Sequence, residues 1–266
     1  MALSESLEFD HEDRERIYEY VERHGAVDAE AVRDRLHVDP GGFRHHVAIL
    51  KRDGYVEERE GELRAAFDQG VAEEYETDGV AFTIRPARQE DLSGIVGAIR
   101  RVAEQGSYIV AESVADEVDH DEALLRHNEL ESRMFFVATV GNGAASDASE
   151  TSTGSRPGDE VVGWVHLHAP ELDKLAHTAE LTVGVLEDYR GHGIGSHLLA
   201  RGLEWAASND AEKVYQSAPS TNEDAIEFLK GHGWETEAVR EDHYKIDGEY
   251  VDEVMMAVDL RANTSS

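Results

Sequence analysis

Cysteine is absent from the 266 residues, which excludes disulfides, thiolate metal sites and cysteine nucleophiles. Lysine is scarce: Lys51, Lys174, Lys213, Lys230 and Lys245 are the full set, against twenty arginines. No apolar run approaches the length that crosses a bilayer, which excludes a membrane-spanning helix. Met1–Asp13 is acidic and lacks the basic-then-apolar plan of a signal peptide, so residence in the cytoplasm is expected.

Acid is what the chain has in excess, with 57 Asp and Glu against 25 Lys and Arg and a formal net charge of -32. The acid is spread along the whole length. An acidic, lysine-poor, cysteine-free composition resembles that of proteins from salt-accumulating halophiles, where carboxylates keep the surface hydrated. The other reading of such charge is a face for a basic partner. Hydrophobic residues make up 40%, enough for packed cores in one large domain or two modest ones.

The first segment reads as three short helices and a hairpin. Glu12–His24 sets Ile17 and Val21 at i, i+4 and is stopped by Gly25. Asp28 is placed to cap a second helix containing Val32 and Leu36. After Asp39-Pro40, a third helix aligns Phe43, Val47 and Leu50 and ends at Asp53-Gly54. Tyr55-Val56 and Leu63–Phe67 flank Gly61 as two strands. This order is similar to the winged helix-turn-helix fold of prokaryotic transcription regulators. The polar stretch 69–79 follows, and we place the domains at 1–75 and 81–262 with residues 76–80 as linker.

The second domain opens with the strand Ala81–Ile84 and a helix over Glu90–Glu104. A looser region over Tyr108–Asp121 and a short helix reaching Glu131 are expected next. Strand-like runs occupy Phe135–Val140 and Val161–His168. Between them, residues 141–159 are rich in Gly, Ser, Ala and Thr and read as a long hairpin loop. Then come strand Glu180–Val185, helix Ser196–Ala207, strand Lys213–Ser217, helix Glu223–Gly231 and two final strands over Glu237–Ile246 and Asp252–Leu260.

The strand Leu181-Thr182-Val183-Gly184-Val185 runs into Arg190-Gly191-His192-Gly193-Ile194-Gly195 and then the helix carrying Leu198, Leu199, Leu203 and Trp205. Closely spaced glycines before a helix let backbone N–H groups approach an anion without Cβ obstruction. The helix N-terminus adds unsatisfied donors and partial positive charge. Tyr189 through Leu203 contains no Asp or Glu but does contain Arg190 and Arg201, as Coulomb repulsion requires where phosphates sit. Other phosphate loops fail. The Walker Gly-Lys-Ser/Thr is missing, and the dinucleotide G-x-G-x-x-G meets Ser196 or Leu198 at its third glycine.

The turn resembles the cofactor motif of the GNAT acyltransferase superfamily, Arg/Gln-x-x-Gly-x-Gly/Ala, on Arg190, Gly193 and Gly195. The resemblance extends over 80–262. It includes Val161-Val162-Gly163-Trp164 in the position of the third strand, and Asn222-x-x-Ala225-Ile226-x-Phe228-Leu229 leading to His232-Gly233-Trp234. It implies an α/β fold with a mixed, mostly antiparallel sheet flanked by helices. It implies acetyl-CoA as cosubstrate, an amine acceptor and no metal. The diphosphate would lie on residues 190–195 and Ser196, the pantetheine arm along Thr182, Val183, Gly184 and Val185 between two splayed strands, and Asn222 beside it. Asn222 reads equally as a helix cap.

Transfer to an amine needs a base for the ammonium proton and an acid for the thiolate. Glu180, where many relatives carry a carboxylate, is the expected base, with His166, His168 and His177 as alternatives. Leu229 stands where many members carry the acidic tyrosine, so Tyr244 is the expected replacement and Tyr215 the alternative. The departure leaves open a regulator that senses acyl-CoA and binds DNA. Residues 1–75 hold 10 basic against 20 acidic residues, the wrong sign for DNA. Yet Pro40–Arg52 carries Arg44, His45, His46, Lys51 and Arg52 without an acid. DNA contact and protein contact, a second copy of the chain included, both remain open for this segment.

Overall fold

The computed structural model describes residues 11–25, 27–52, 55–59, 61–65, 72–77, 79–104, 109–121, 123–127, 131–141, 159–170, 172 and 174–261. The expected loop at 141–159 lies almost wholly outside these residues. No helix among them is long and apolar enough to cross a membrane.

The N-terminal module contains α1 (Glu12–His24), β1 (Val27–Asp28), α2 (Ala29–Leu36), α3 (Pro40–Arg52), β2 (Val56–Arg59) and β3 (Glu62–Ala65). The strands form a small antiparallel sheet in the order β1-β3-β2. Local signals set the helices. Asp28 accepts from the Ala31 N–H at 2.8 Å, and Asp39 accepts from the Gly41 and Gly42 N–H groups, satisfying donors that helix geometry orphans. Ile17, Val21, Val32, Phe43, Val47, Leu50, Val56 and Leu63 bury into one core.

The larger unit follows with β4 (Glu73–Thr77), β5 (Val80–Pro86), α4 (Leu92–Ala103), α5 (Ile109–Asp121), β6 (Arg126–His127), β7 (Glu131–Val140), β8 (Glu160–Pro170), β9 (Thr178–Val185), α6 (Ile194–Ser208), β10 (Lys213–Pro219), α7 (Glu223–Gly231), β11 (Glu235–Ile246) and β12 (Glu249–Asp259). Its nine-stranded sheet runs β11-β12-β10-β9-β8-β7-β5-β4, with β6 beside β7. Every recorded pairing is antiparallel except β9 with β10. Strand alternation divides the side chains between two cores. Met134, Phe136, Leu167, Leu181 and Val183 pack with α6, and Phe135, Val137 and Trp164 pack with α4 and α5.

Two segments differ from the sequence-based expectation. Residues 73–77, expected to close the first domain and lead into the linker at 76–80, pair with β5 as the edge strand of the large sheet, Glu73 opposite Ile84 and Thr77 opposite Val80. Tyr75 fixes them there, its ring 5.4 Å from Phe82 and 4.0 Å from His197. The flanking glutamates give the edge a charged rim. Ile109–Asp121, expected to be loose, is a helix that buries Ala111, Val114, Ala115 and Val118 at i, i+3, i+4 and i+7. The stretch after it is not a helix where described, since Arg126–His127 pairs with β7.

Ion pairs with buried arginines pin the start of α4 and the second half of α5 to the sheet. Arg85 donates to both carboxylate oxygens of Asp91 at 2.6 and 2.9 Å, with 4% and 9% of the two side chains exposed. Arg133 on β7 donates to Glu117, Asp121 and the Ala123 carbonyl. Asp91→Ala strands the Arg85 guanidinium in the core and is expected to cost about 3–5 kcal/mol, measured by denaturant unfolding at constant salt.

Candidate active site

The large sheet opens at one place. The parallel ladder of β9 with β10 runs from Thr178↔Lys213 through Glu180↔Tyr215 and stops, although both strands continue, to Val185 and Pro219. Leu181–Val185 keeps its antiparallel pairing to β8 on the other side. β10 turns instead along β12, to which it stays paired through Pro219↔Glu253. The result is the wedge between splayed strands expected for Thr182, Val183, Gly184 and Val185. Gly184 is fixed by its neighbour, because a Cβ there would lie inside the Trp164 ring.

At the wide end of the wedge the chain makes the turn into α6. Gly191 and Gly193 adopt φ of 84° and 79°, the left-handed region that glycine enters without steric cost. A Cβ on Gly191 would meet nothing within 4 Å. The first recorded bond in α6 runs from the His197 N–H to the Gly193 carbonyl at 3.1 Å. The N–H groups of Ile194, Gly195 and Ser196 precede it and have no intrahelical acceptor by geometry. Helices α1, α2 and α7 are capped by His11, Asp28 and Asn222 and carry acid in their first turns. Helix α6 has no side-chain cap and no acid there. His192 adds a buried Nδ1 without a hydrogen-bond partner among the described residues. An open, uncapped, acid-free helix N-terminus fits a diphosphate.

The side chains expected at the turn divide their roles. Arg190 is exposed, and its Nε donates to the Val185 carbonyl at 3.0 Å, so it braces the turn against β9. Ser196 Oγ lies 3.0 Å from His232 Nε2, and His232 Nδ1 lies 2.7 Å from the Phe228 carbonyl. His232 thus ties the start of α6 to the end of α7, a role its sequence position does not show. Asn222 accepts from the Ala225 N–H at 3.2 Å and is the cap of α7.

The catalytic candidates follow from strand register. One row across the α4–α5 face contains Arg133, His168, Glu180 and Tyr215, on β7, β8, β9 and β10. Glu180 is exposed at the point where the strands part, flanked by His168 and Tyr215. His168 Nε2 lies 3.0 Å from Glu131. His166 is enclosed instead. Its Nδ1 lies 3.1 Å from Thr182 Oγ1 and its ring 4.5 Å from Phe135. Burial first, then the charge of Arg133 and the nearby His168, push its pKa well below the ordinary value, so it stays neutral and orients Thr182. His177 is exposed and precedes β9, where its carbonyl accepts from Glu212 and Lys213.

Tyr244 does not join this row. It pairs with Val251 on β12, beyond the end of β10, and two strands separate β11 from β9. At ordinary strand spacing that is roughly 14 Å. Its phenol donates to the buried Glu253 carboxylate at 3.1 Å. Burial and that negative charge push its pKa up, which makes it a poorer acid. Tyr215 stands opposite Glu180 in the β9–β10 register. Leu229 is buried in the core under α6.

Residues 113–234 match the sequence model of the acetyltransferase (GNAT) family. The fold is that of a GCN5-related N-acetyltransferase from Kribbella flavida, at TM-score 0.52 and 19% identity over 67% of this chain and 98% of that one. It is also that of smu.2055 from Streptococcus mutans UA159, at TM-score 0.51 and 21% identity over 66% and 98%. In sequence, 71 residues are 35% identical to mycothiol acetyltransferase of Corynebacterium glutamicum (strain R), covering 26% of this chain and 23% of that protein. An uncharacterised Mycobacterium leprae protein is 29% identical over 129 residues, 45% of this chain and 34% of its own length. The chain thus spans about a third of the length of one of these curated relatives and about a quarter of the other.

Ser196→Asp separates the two consequences of an acid at the start of α6. It should leave thermal stability unchanged or raise it by about 0.3–1 kcal/mol through the helix dipole. It should also weaken acetyl-CoA binding at least about tenfold, through charge repulsion on the diphosphate, as read by calorimetric titration.

Proposed function

We propose that the chain transfers an acetyl group from acetyl-CoA to an amine acceptor. The observation that carries this reading is the parting of β9 from β10 immediately beside the uncapped, acid-free start of α6. One feature holds an extended arm, and the other receives a diphosphate at its end. The turn 190–196 would hold the phosphates, and the strand edge Thr182–Val185 the arm. Bound there, acetyl-CoA supplies an activated acyl carbon joined to a good leaving thiol.

The chain supplies the proton chemistry. Glu180, exposed at the apex of the wedge, takes the proton from the acceptor ammonium directly or through one water, giving the neutral amine that attacks. The C–N bond forms as the C–S bond breaks, and the second proton lost by the new amide nitrogen replaces the one given to the leaving sulfur, so that the net proton released is the one taken by Glu180. Tyr215 is the nearest phenol in register to return a proton to the leaving sulfur. Main-chain N–H groups of β9 are the donors at hand for the developing oxyanion.

For the N-terminal module we propose a winged helix-turn-helix, supported by three helices followed by a β-hairpin. If this module reads DNA, the contacts fall to Arg44, His45 and the end of α3, where Lys51 already pairs with Glu58 of the hairpin at 2.8 Å. His46 is excluded from that surface because it is buried. The composition supports a protein that works in concentrated salt in the cytoplasm, so assays belong in molar KCl.

Thiol release from acetyl-CoA with a panel of amines tests the proposal. Glu180→Gln should lower kcat about 100-fold or more while leaving acetyl-CoA affinity unchanged. Tyr215→Phe should lower kcat more than Tyr244→Phe. Acetyl-CoA binding without turnover on any amine would refute the transferase reading. A larger effect from Tyr244→Phe would refute the assignment of the acid.

A further inference from the structure

We infer that the N-terminal module holds a divalent transition-metal site formed by His11, Asp13 and His46, a place to which neither the fold nor the transferase reading assigns a role. The three side chains each direct one donor atom into a common space, with all three donors within 4.8 Å of one another. His11 Nδ1 and His46 Nε2 each lie 3.8 Å from the same oxygen, Oδ2 of Asp13. Around a tetrahedral ion with bonds of about 2.1 Å, neighbouring donors stand about 3.4 Å apart. The two pairs at 3.8 Å need to close by about 0.4 Å and the two imidazole nitrogens, within 4.8 Å, by at most about 1.4 Å, a movement that rotation of the exposed His11 side chain supplies.

The surroundings support coordination. Asp13 presents Oδ2 to both imidazoles because its other oxygen, Oδ1, accepts from Arg16 Nη1 at 3.1 Å. Arg16 is itself held by the Leu36 carbonyl at the end of α2, at 2.8 Å. This is the kind of outer contact that fixes a ligating carboxylate. His46 comes from α3 with 9% of its side chain exposed, and its Nδ1 has no hydrogen-bond partner among the described residues. The His11 and His46 rings are inclined at 38° with centroids 4.4 Å apart. His11, half exposed, leaves an approach for the ion and a fourth position for water. Its Nδ1 accepts from the Asp13 N–H at 3.1 Å, a contact that would be exchanged for the metal.

Two imidazoles and one carboxylate suit Zn²⁺ and its first-row neighbours and disfavour Mg²⁺. An ion here would link the start of α1 to α3 directly, and to the end of α2 through Arg16.

The test uses the full chain stripped with chelator, titrated with ZnCl2 by calorimetry and with CoCl2 by visible absorption, with MgCl2 as control. Expected are one tight Zn²⁺ equivalent, a tetrahedral cobalt spectrum and a Zn²⁺-dependent rise in Tm. Each should be lost in Asp13→Asn and His46→Gln. Affinity should fall at least about tenfold in His11→Ala and in Arg16→Gln, the latter touching no ion. His11 is exposed and Asp13 partly so, which keeps the test valid if His46→Gln perturbs the core. Zn²⁺ affinity unchanged in His11→Ala and Asp13→Asn, or Mg²⁺ bound as tightly as Zn²⁺, would overturn the site.

Discussion

The parting of β9 from β10 governs the large unit, because it turns the middle of a continuous sheet into a slot. Between its two edges, the sheet's other inner strands are laddered on both sides. Here β10 follows β12 after Tyr215, while the segment Leu181–Val185 keeps its ladder to β8. The Trp164 ring against Gly184 and the α6 core against Leu181 and Val183 keep that segment in place. The same strand then feeds the turn whose positive-φ glycines aim the start of α6 at the wide end of the slot.

Charge placement serves this geometry. A chain of net charge -32 leaves fifteen consecutive residues around the turn without a carboxylate, and the uncapped helix start remains electropositive. On the other face of the sheet the acids are concentrated and paired. Arg133 and Arg126 share Asp121, and Arg126 also reaches the buried Glu22 of α1 at 3.6 Å. That network joins the N-terminal module to α5, β6 and β7.

Much of this was legible in the residues because the signals are local. Helices α1 and α7 begin and end at capping residues and glycines, and the turn into α6 is written in six consecutive positions. What depends on distant pairing was not legible. The strand order β11-β12-β10-β9 decides that Tyr215, not Tyr244, stands beside Glu180, and nothing near either tyrosine encodes that order. The edge strand at Glu73–Thr77 rests on one inward ring among acids. Helix α5 buries two alanines and two valines on an acidic background, which weakens its periodicity. His46 shares the basic run of α3 but points inward, because Val47 and Leu50 set which face is buried.

Hydrogen exchange measured residue by residue, with and without acetyl-CoA, tests the central claim most directly. The expected result is protection confined to the amides of Leu181–Val185 and Gly191–Ser196, with the β8–β7 ladder and the N-terminal module unaffected. Protection centred elsewhere, or binding that leaves those two segments exchanging at their free rates, would contradict the assignment of the slot and the turn as one site.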